Sequence, residues 1–131
     1  MFFFIKMKVR FKGNSIRLRL TQTEVNRLAA GISVVELTVF SVYHTLKVEL
    51  QPWLLEATEV WLDKAIILLR QPESAIKIWA ESEQISMAST VDNGQPNGLL
   101  VLIEKDFECL TERKEEDKSD QFPNPAQGTK C

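Results

Sequence analysis

Apolar and basic side chains alternate in two runs at the start of the chain, and the phase of the alternation changes between them. The runs are MKVRFK at residues 7–12 and SIRLRL at residues 15–20. Strict alternation is typical of a half-buried strand, and Gly13-Asn14 between two such runs predicts a two-residue hairpin turn. The turn would give the hairpin one apolar and one basic face. The predicted pairs are Phe11 with Ile16, Val9 with Leu18 and Met7 with Leu20 on the apolar face, and Arg10 with Arg17 and Lys8 with Arg19 on the basic face.

A helix is predicted directly after this hairpin. Thr21 and Glu24 form a T-x-x-E capping box, in which the hydroxyl accepts from the third helical amide and the carboxylate accepts from the cap amide. Val25, Leu28 and Ala29 follow at the i, i+3, i+4 spacing of a helix with one apolar face. The first thirty residues therefore predict a strand–strand–helix unit.

Further alternations and turn formers predict three more strand pairs and a second helix. Since strands joined by short turns pair antiparallel, we expect an α+β domain with a mainly antiparallel sheet, which could be curled or barrel-like, and two short helices. Two strands, 65–69 and 99–103, are apolar on both faces and are expected to lie centrally in the sheet. The remaining predicted strands span residues 35–39, 46–50, 58–62 and 85–90, and the second helix spans residues 72–82.

Length and composition predict one domain with two short flanking segments. The 131 residues are 44% hydrophobic and 26% charged, as in ordinary globular proteins. Regular alternation begins at Met7, so residues 1–6 are expected to be an extension, and residues 7–110 to be the domain. Residues 111–131 begin with TERKEEDKSD, contain two prolines and are expected to form a mobile C-terminal tail.

Charge is distributed unevenly along the chain. The net charge is −2, yet residues 1–23 hold six basic residues and no acid. Like charges that face each other across two strands are unfavourable by up to about 1 kcal/mol per pair, so something should offset them. One hypothesis is a binding site, in which the basic face, made of Lys8, Arg10, Arg17 and Arg19, holds an anion, a phosphate group or a nucleic acid. The favoured alternative is structural: Glu36, Glu49 or Glu59 from neighbouring strands would cover these residues as ion pairs.

The sequence offers little catalytic chemistry. His44 is the only histidine and lies near a predicted turn, where an ordinary surface role is expected. Cys109 could act as a nucleophile only with a nearby base, and a small buried hydrophobe is the favoured interpretation. The acids at 115–117 and 120 lack the spacing and the glycine of a calcium loop. We therefore predict no catalytic residue, metal site or cofactor, with a thiol-dependent enzyme through Cys109 as the further alternative.

Cysteine usage and hydropathy favour a cytoplasmic protein. Cys109 and Cys131 form neither a disulfide framework nor a metal-binding spacing, which favours a reducing compartment. The apolar run MFFFI is too short for a signal peptide, and no run approaches the roughly 18 apolar residues of a membrane span. No membrane partner is expected.

Two stretches resemble the ends of a small bacterial family of unknown function. They are KGNSIRLRLTQTEV near the start and EKDFECLTER followed by FPNP near the end. The resemblance runs from Met7 with a looser middle, and it implies no particular activity. We therefore predict an accessory or interaction module that binds an acidic partner or a small anion on the basic face. A nucleic-acid-binding protein that uses the same face is the alternative.

Overall fold

Two strand–strand–helix–strand–strand units follow each other along the chain. The computed structural model describes residues 7–107 and residue 122. The predicted extension 1–6 and nearly all of the predicted tail lie outside the described residues. The order of elements predicted from the sequence is confirmed within them. The first unit contains β1 (Lys8–Phe11), β2 (Ser15–Leu20), α1 (Gln22–Ala29), β3 (Val34–Ser41) and β4 (His44–Trp53); the second contains β5 (Glu59–Asp63), β6 (Ile66–Pro72), α2 (Glu73–Glu81), β7 (Ser86–Val91) and β8 (Leu99–Lys105).

The strands form two four-stranded sheets, each built from one hairpin of either unit. The first sheet has the order β1-β2-β8-β7 and the second has the order β3-β4-β6-β5. The α+β class is confirmed, as is the central position of the two apolar strands, β6 and β8. The single, mainly antiparallel sheet is corrected to two mixed sheets, because the central pairs β2–β8 and β4–β6 are parallel. Neither sheet closes into a barrel.

The two units are related by a twofold pseudosymmetry that extends to the strand register. Lys8 pairs with Arg19, and Glu59 pairs with Arg70, so both partners move by 51 residues (8 to 59, 19 to 70). The later hairpins are related by 53 residues, since the pair of residues 34 and 50 in β3–β4 matches the pair 87 and 103 in β7–β8. The same shifts interconvert the parallel pairs 18 with 103 and 69 with 50. Each sheet is therefore the pseudosymmetric equivalent of the other.

The core repeats this symmetry with different side chains. The two helices pack against each other. Leu28 of α1 and Trp79 of α2 occupy equivalent positions, and both are almost fully buried. Other equivalent buried pairs are Leu18 with Leu69, Val25 with Ile76, Val48 with Val101, and Leu50 with Ile103. Burial of such side chains stabilises the fold by about 1.5–3 kcal/mol each relative to exposure, which makes this shared core the main link between the units.

The capping box and the first turn are as the sequence predicts. The backbone N–H of Thr21 donates to Glu24 Oε1 (2.9 Å), and the Glu24 N–H donates to the Thr21 hydroxyl (3.3 Å). Glu24 is itself buried, and its Oε2 accepts the backbone N–H of Met7 (3.0 Å). Gly13 has a φ of 54°, a left-handed conformation that glycine adopts without a side-chain clash. Thus Glu24 both caps α1 and holds the start of β1.

Candidate functional site

The basic face of the first hairpin has the predicted register. Arg10 lies opposite Arg17, and Lys8 lies opposite Arg19. The intervening residues of β2 are buried and point into the core, which leaves the four basic side chains on the outer face of the first sheet. Met7 is buried just before β1 begins. The local alternation was therefore sufficient to predict which side chains share this surface.

Two acids from the last strand partly neutralise this basic face. Glu104 on β8 lies between two arginines: its Oε1 is 3.2 Å from Nε of Arg19 and 3.5 Å from Nε of Arg17. Asp106, which directly follows β8, pairs with Lys8 at 3.0 Å. The parallel pairing of β2 with β8 sets Glu104 beside Arg19. Ion pairing therefore offsets part of the repulsion between the opposed cations.

The acids that pair with the basic face are not those expected from the sequence. Glu36, Glu49 and Glu59 all belong to the second sheet, so the structural alternative was wrong about the residues involved. It assumed that neighbouring hairpins in the chain are neighbours in one sheet, whereas each unit divides its hairpins between two sheets. The phase of LLVLIEK held the missing signal, because burial of Val101 and Ile103 turns Glu104 outward.

Arg10 remains without a partner among residues 7–107 and 122. It is exposed, and within this part of the chain it forms no ion pair and no side-chain hydrogen bond. Arg17 across the strand pair has only the longer contact to Glu104 and keeps 31% of its side chain exposed. The excess positive charge is therefore concentrated around Arg10 and Arg17, at the end of the hairpin nearer the turn.

The rest of this outer face is uncharged and nearly flat in character. Beside Arg17 the register places Leu102 of β8 and then Ala88 of β7. The neighbouring row contains Leu100 and Thr90. None of the described residues on this face of the first sheet is aromatic. The site is thus a surface with a basic half and a small apolar half.

The other sequence candidates lie elsewhere. His44 is exposed at the tip of the β3–β4 hairpin, where its Nδ1 is 2.9 Å from the Ser41 hydroxyl. Cys109 and the acidic residues 115–120 lie outside the described residues. Among the residues that are described, no cluster of His, Cys, Asp and Glu could hold a metal ion. In the same part of the chain, neither helix is long and apolar enough to cross a membrane.

The doubled fold and its basic sheet face define a small α+β protein whose best candidate site is a surface. The chain belongs to a family of unknown function, DUF7009, whose model matches residues 7–126. This confirms the predicted membership of a family without a known activity. Comparisons with curated proteins and with solved structures gave no match.

Proposed function

We propose that this protein is an interaction module that binds an acidic segment of a protein partner on the basic face. The observation that carries the proposal is the opposition of Arg10 and Arg17 across β1 and β2, with no acid paired to Arg10 among the described residues. Opposed like charges destabilise a strand pair, and a bound carboxylate would relieve that repulsion. We propose a cytoplasmic setting, on the cysteine usage of the chain.

The chemistry of the face suits carboxylates and a few apolar side chains. Guanidinium groups bind carboxylates through two parallel hydrogen bonds, which adds orientation to charge attraction. Leu100 and Leu102 lie next to the arginines on the same face and could contact an apolar side chain of the partner. A short acidic peptide with one or two apolar residues would therefore fit both halves of the surface.

Nucleic acid is the second candidate, because phosphates can use the same cations. Proteins that bind single strands usually add aromatic side chains on which the bases stack. The described part of this face carries none, and Trp53 and Trp61 belong to strands of the second sheet. This difference favours the acidic protein segment.

Calorimetric titration of the full chain with a short glutamate-rich peptide, and separately with an oligonucleotide, tests the proposal. Arg10→Ala should weaken peptide binding by up to about fivefold and leave the melting temperature level or higher. Lys77→Ala, which removes a cation from α2, should leave peptide binding unchanged.

Arg19→Ala is the contrasting variant for the same face. It should lower the melting temperature, because Arg19 pairs with the partly buried Glu104. Binding of the oligonucleotide alone, with steep salt dependence and no sequence preference, would replace the first candidate with the second. Peptide affinity that does not change in Arg10→Ala would contradict both.

A further inference from the structure

The hairpin of β3 and β4 extends beyond the core and is apolar. Nine consecutive residues, 37–45, are exposed, which includes side chains on both faces of the hairpin. Four of them are large and apolar: Val39, Phe40, Val42 and Tyr43 are exposed by 71%, 69%, 91% and 89%. Residues 37–46 contain no Asp, Glu, Lys or Arg. We call residues 37–45 the apolar arm.

The pseudosymmetric hairpin shows that this apolar character is not required by the fold. The β7–β8 hairpin has the same length, because both of its strands are shifted by 53 residues from β3 and β4 (34 to 87, 50 to 103). Its tip reads DNGQPN at residues 92–97, where the apolar arm reads VFSVYH at residues 39–44. One tip is thus composed like a solvated turn, and the equivalent tip is composed like a contact surface.

The arm also presents an open strand edge. β3 lies at one end of the second sheet, so alternate N–H and C=O groups along it have no partner strand. Edge strands commonly carry charged residues that discourage further pairing. The edge strands β1 and β5 do so, with Lys8 and Arg10 on one and Glu59 and Asp63 on the other, and β7 presents small polar residues. From residue 37 onward β3 has no such protection, so the occupant that best fits it is another β-strand.

We propose that β3 pairs antiparallel with β3 of a second copy of this chain to form a twofold-symmetric dimer. Antiparallel pairing of identical strands is symmetric by construction, and an uncharged apolar edge is complementary to itself. Pairing centred near Thr38 brings Leu37 of one copy opposite Val39 of the other. The apolar tip of each copy then lies toward Ile32 of the other copy, which is 50% exposed just before β3.

The size of the exposed surface is compatible with such a dimer. At about 200 Å² per aromatic side chain, Phe40 and Tyr43 together expose roughly 300 Å². Leu37, Val39 and Val42 and the backbone edge add to this, against the roughly 800 Å² per partner of a standard stable interface. A membrane surface fits less well, because Lys47 beside the arm is paired with Glu49 at 3.2 Å and Lys64 follows Asp63.

Sedimentation equilibrium of the full chain over a range of concentrations tests the proposal. The wild type should be a dimer that dissociates on dilution. Val39→Lys places a charge at the edge, and Phe40→Asn with Val42→Gln converts the tip toward its polar equivalent. Each should weaken dimerisation at least tenfold. Ile78→Lys, at a side chain of α2 that is 70% exposed, is the matched control and should leave the dimer intact.

Amide hydrogen exchange of the wild type gives a second measurement that needs no variant. Protection of the β3 edge amides should rise with protein concentration, while protection of β7 should not. A wild type that stays monomeric up to its solubility limit overturns the proposal. So does a dimer that survives both arm variants, or a monomer whose arm is protected only by lipid vesicles.

Discussion

At the scale of single residues, the parts of β3 that were hardest to predict are those where side-chain direction departs from polarity. The alternation of Val35, Leu37 and Val39 with polar residues suggests that the apolar set faces the core. The structure has the opposite phase: Val34 is buried and pairs with the buried Leu50, whereas Leu37 and Val39 are exposed. Glu36 shares the inward face with Val34, which places a carboxylate at the border of the core.

This inward position makes Glu36 a pH-dependent element of stability. Burial raises the pKa of Glu36 above its ordinary value, and the nearby Glu24 carboxylate raises it further. A raised folded-state pKa means that the protonated form is favoured by folding. Its contribution to stability is therefore present below the ordinary pKa near 4.5 and is lost as the pH rises through the raised value.

We therefore expect Glu36→Gln to raise the free energy of unfolding at neutral pH. Urea unfolding at pH about 7 should show the gain, and the gain should vanish at pH about 4, where both side chains are uncharged. Glu83→Gln, at an exposed position after α2, serves as the control and should show no such pH dependence. A gain that persists at the lower pH would mean that packing, rather than charge, limits this site.

At the scale of elements, the two pseudosymmetric turns solve the same backbone problem with different residues. Gly13 in the β1–β2 turn and Lys64 in the β5–β6 turn are 51 residues apart, and both have a φ of 54°. A non-glycine residue in this left-handed region costs about 1–2 kcal/mol. The β5–β6 turn therefore carries strain that the first turn avoids.

Exchange of these two residues should change stability in opposite directions. Lys64→Gly should stabilise the fold by about 1 kcal/mol, less the extra freedom that glycine gives the unfolded chain. Gly13→Ala should destabilise it by a similar amount, and since a Cβ there would meet nothing within 4 Å, the cost is one of backbone conformation alone. Thermal unfolding of both variants measures this, and loss of stability in both would show that the Lys64 side chain contributes contacts of its own.

The sequence is informative about elements for the same reason that it is incomplete about their assembly. Alternation, a turn pair and a capping box are local, so they predict the first hairpin, its register and the start of α1. The pairing of Ser15 with Leu100 joins strands far apart in the chain, and no local pattern encodes it. The basic face was therefore predictable, whereas its partner Glu104 depended on a parallel pairing that only the tertiary structure shows.

At the scale of the whole molecule, the two units share a core and differ on their surfaces. Equivalent core positions are apolar in both units, but Arg10 and Arg17 of the first sheet correspond to Trp61 and Leu68 of the second. Only Arg19 keeps its residue type, as Arg70, which bonds Gln51 through Nε at 2.9 Å where Arg19 bonds Glu104. The fold thus holds two faces of similar backbone and different chemistry, and our two proposals assign one partner to each.

This architecture also predicts that neither unit folds alone. Each sheet takes its two central strands from different units, and the helices of the two units pack against each other. A chain cut in the exposed segment 54–57, between β4 and β5, should yield two fragments that each lack cooperative thermal unfolding. Mixing them should restore the far-ultraviolet circular dichroism and a cooperative transition, because the parallel pairs β2–β8 and β4–β6 can then form. A fragment that unfolds cooperatively as a monomer would show instead that one unit holds a sufficient core by itself, and that the twofold arrangement joins two independent domains.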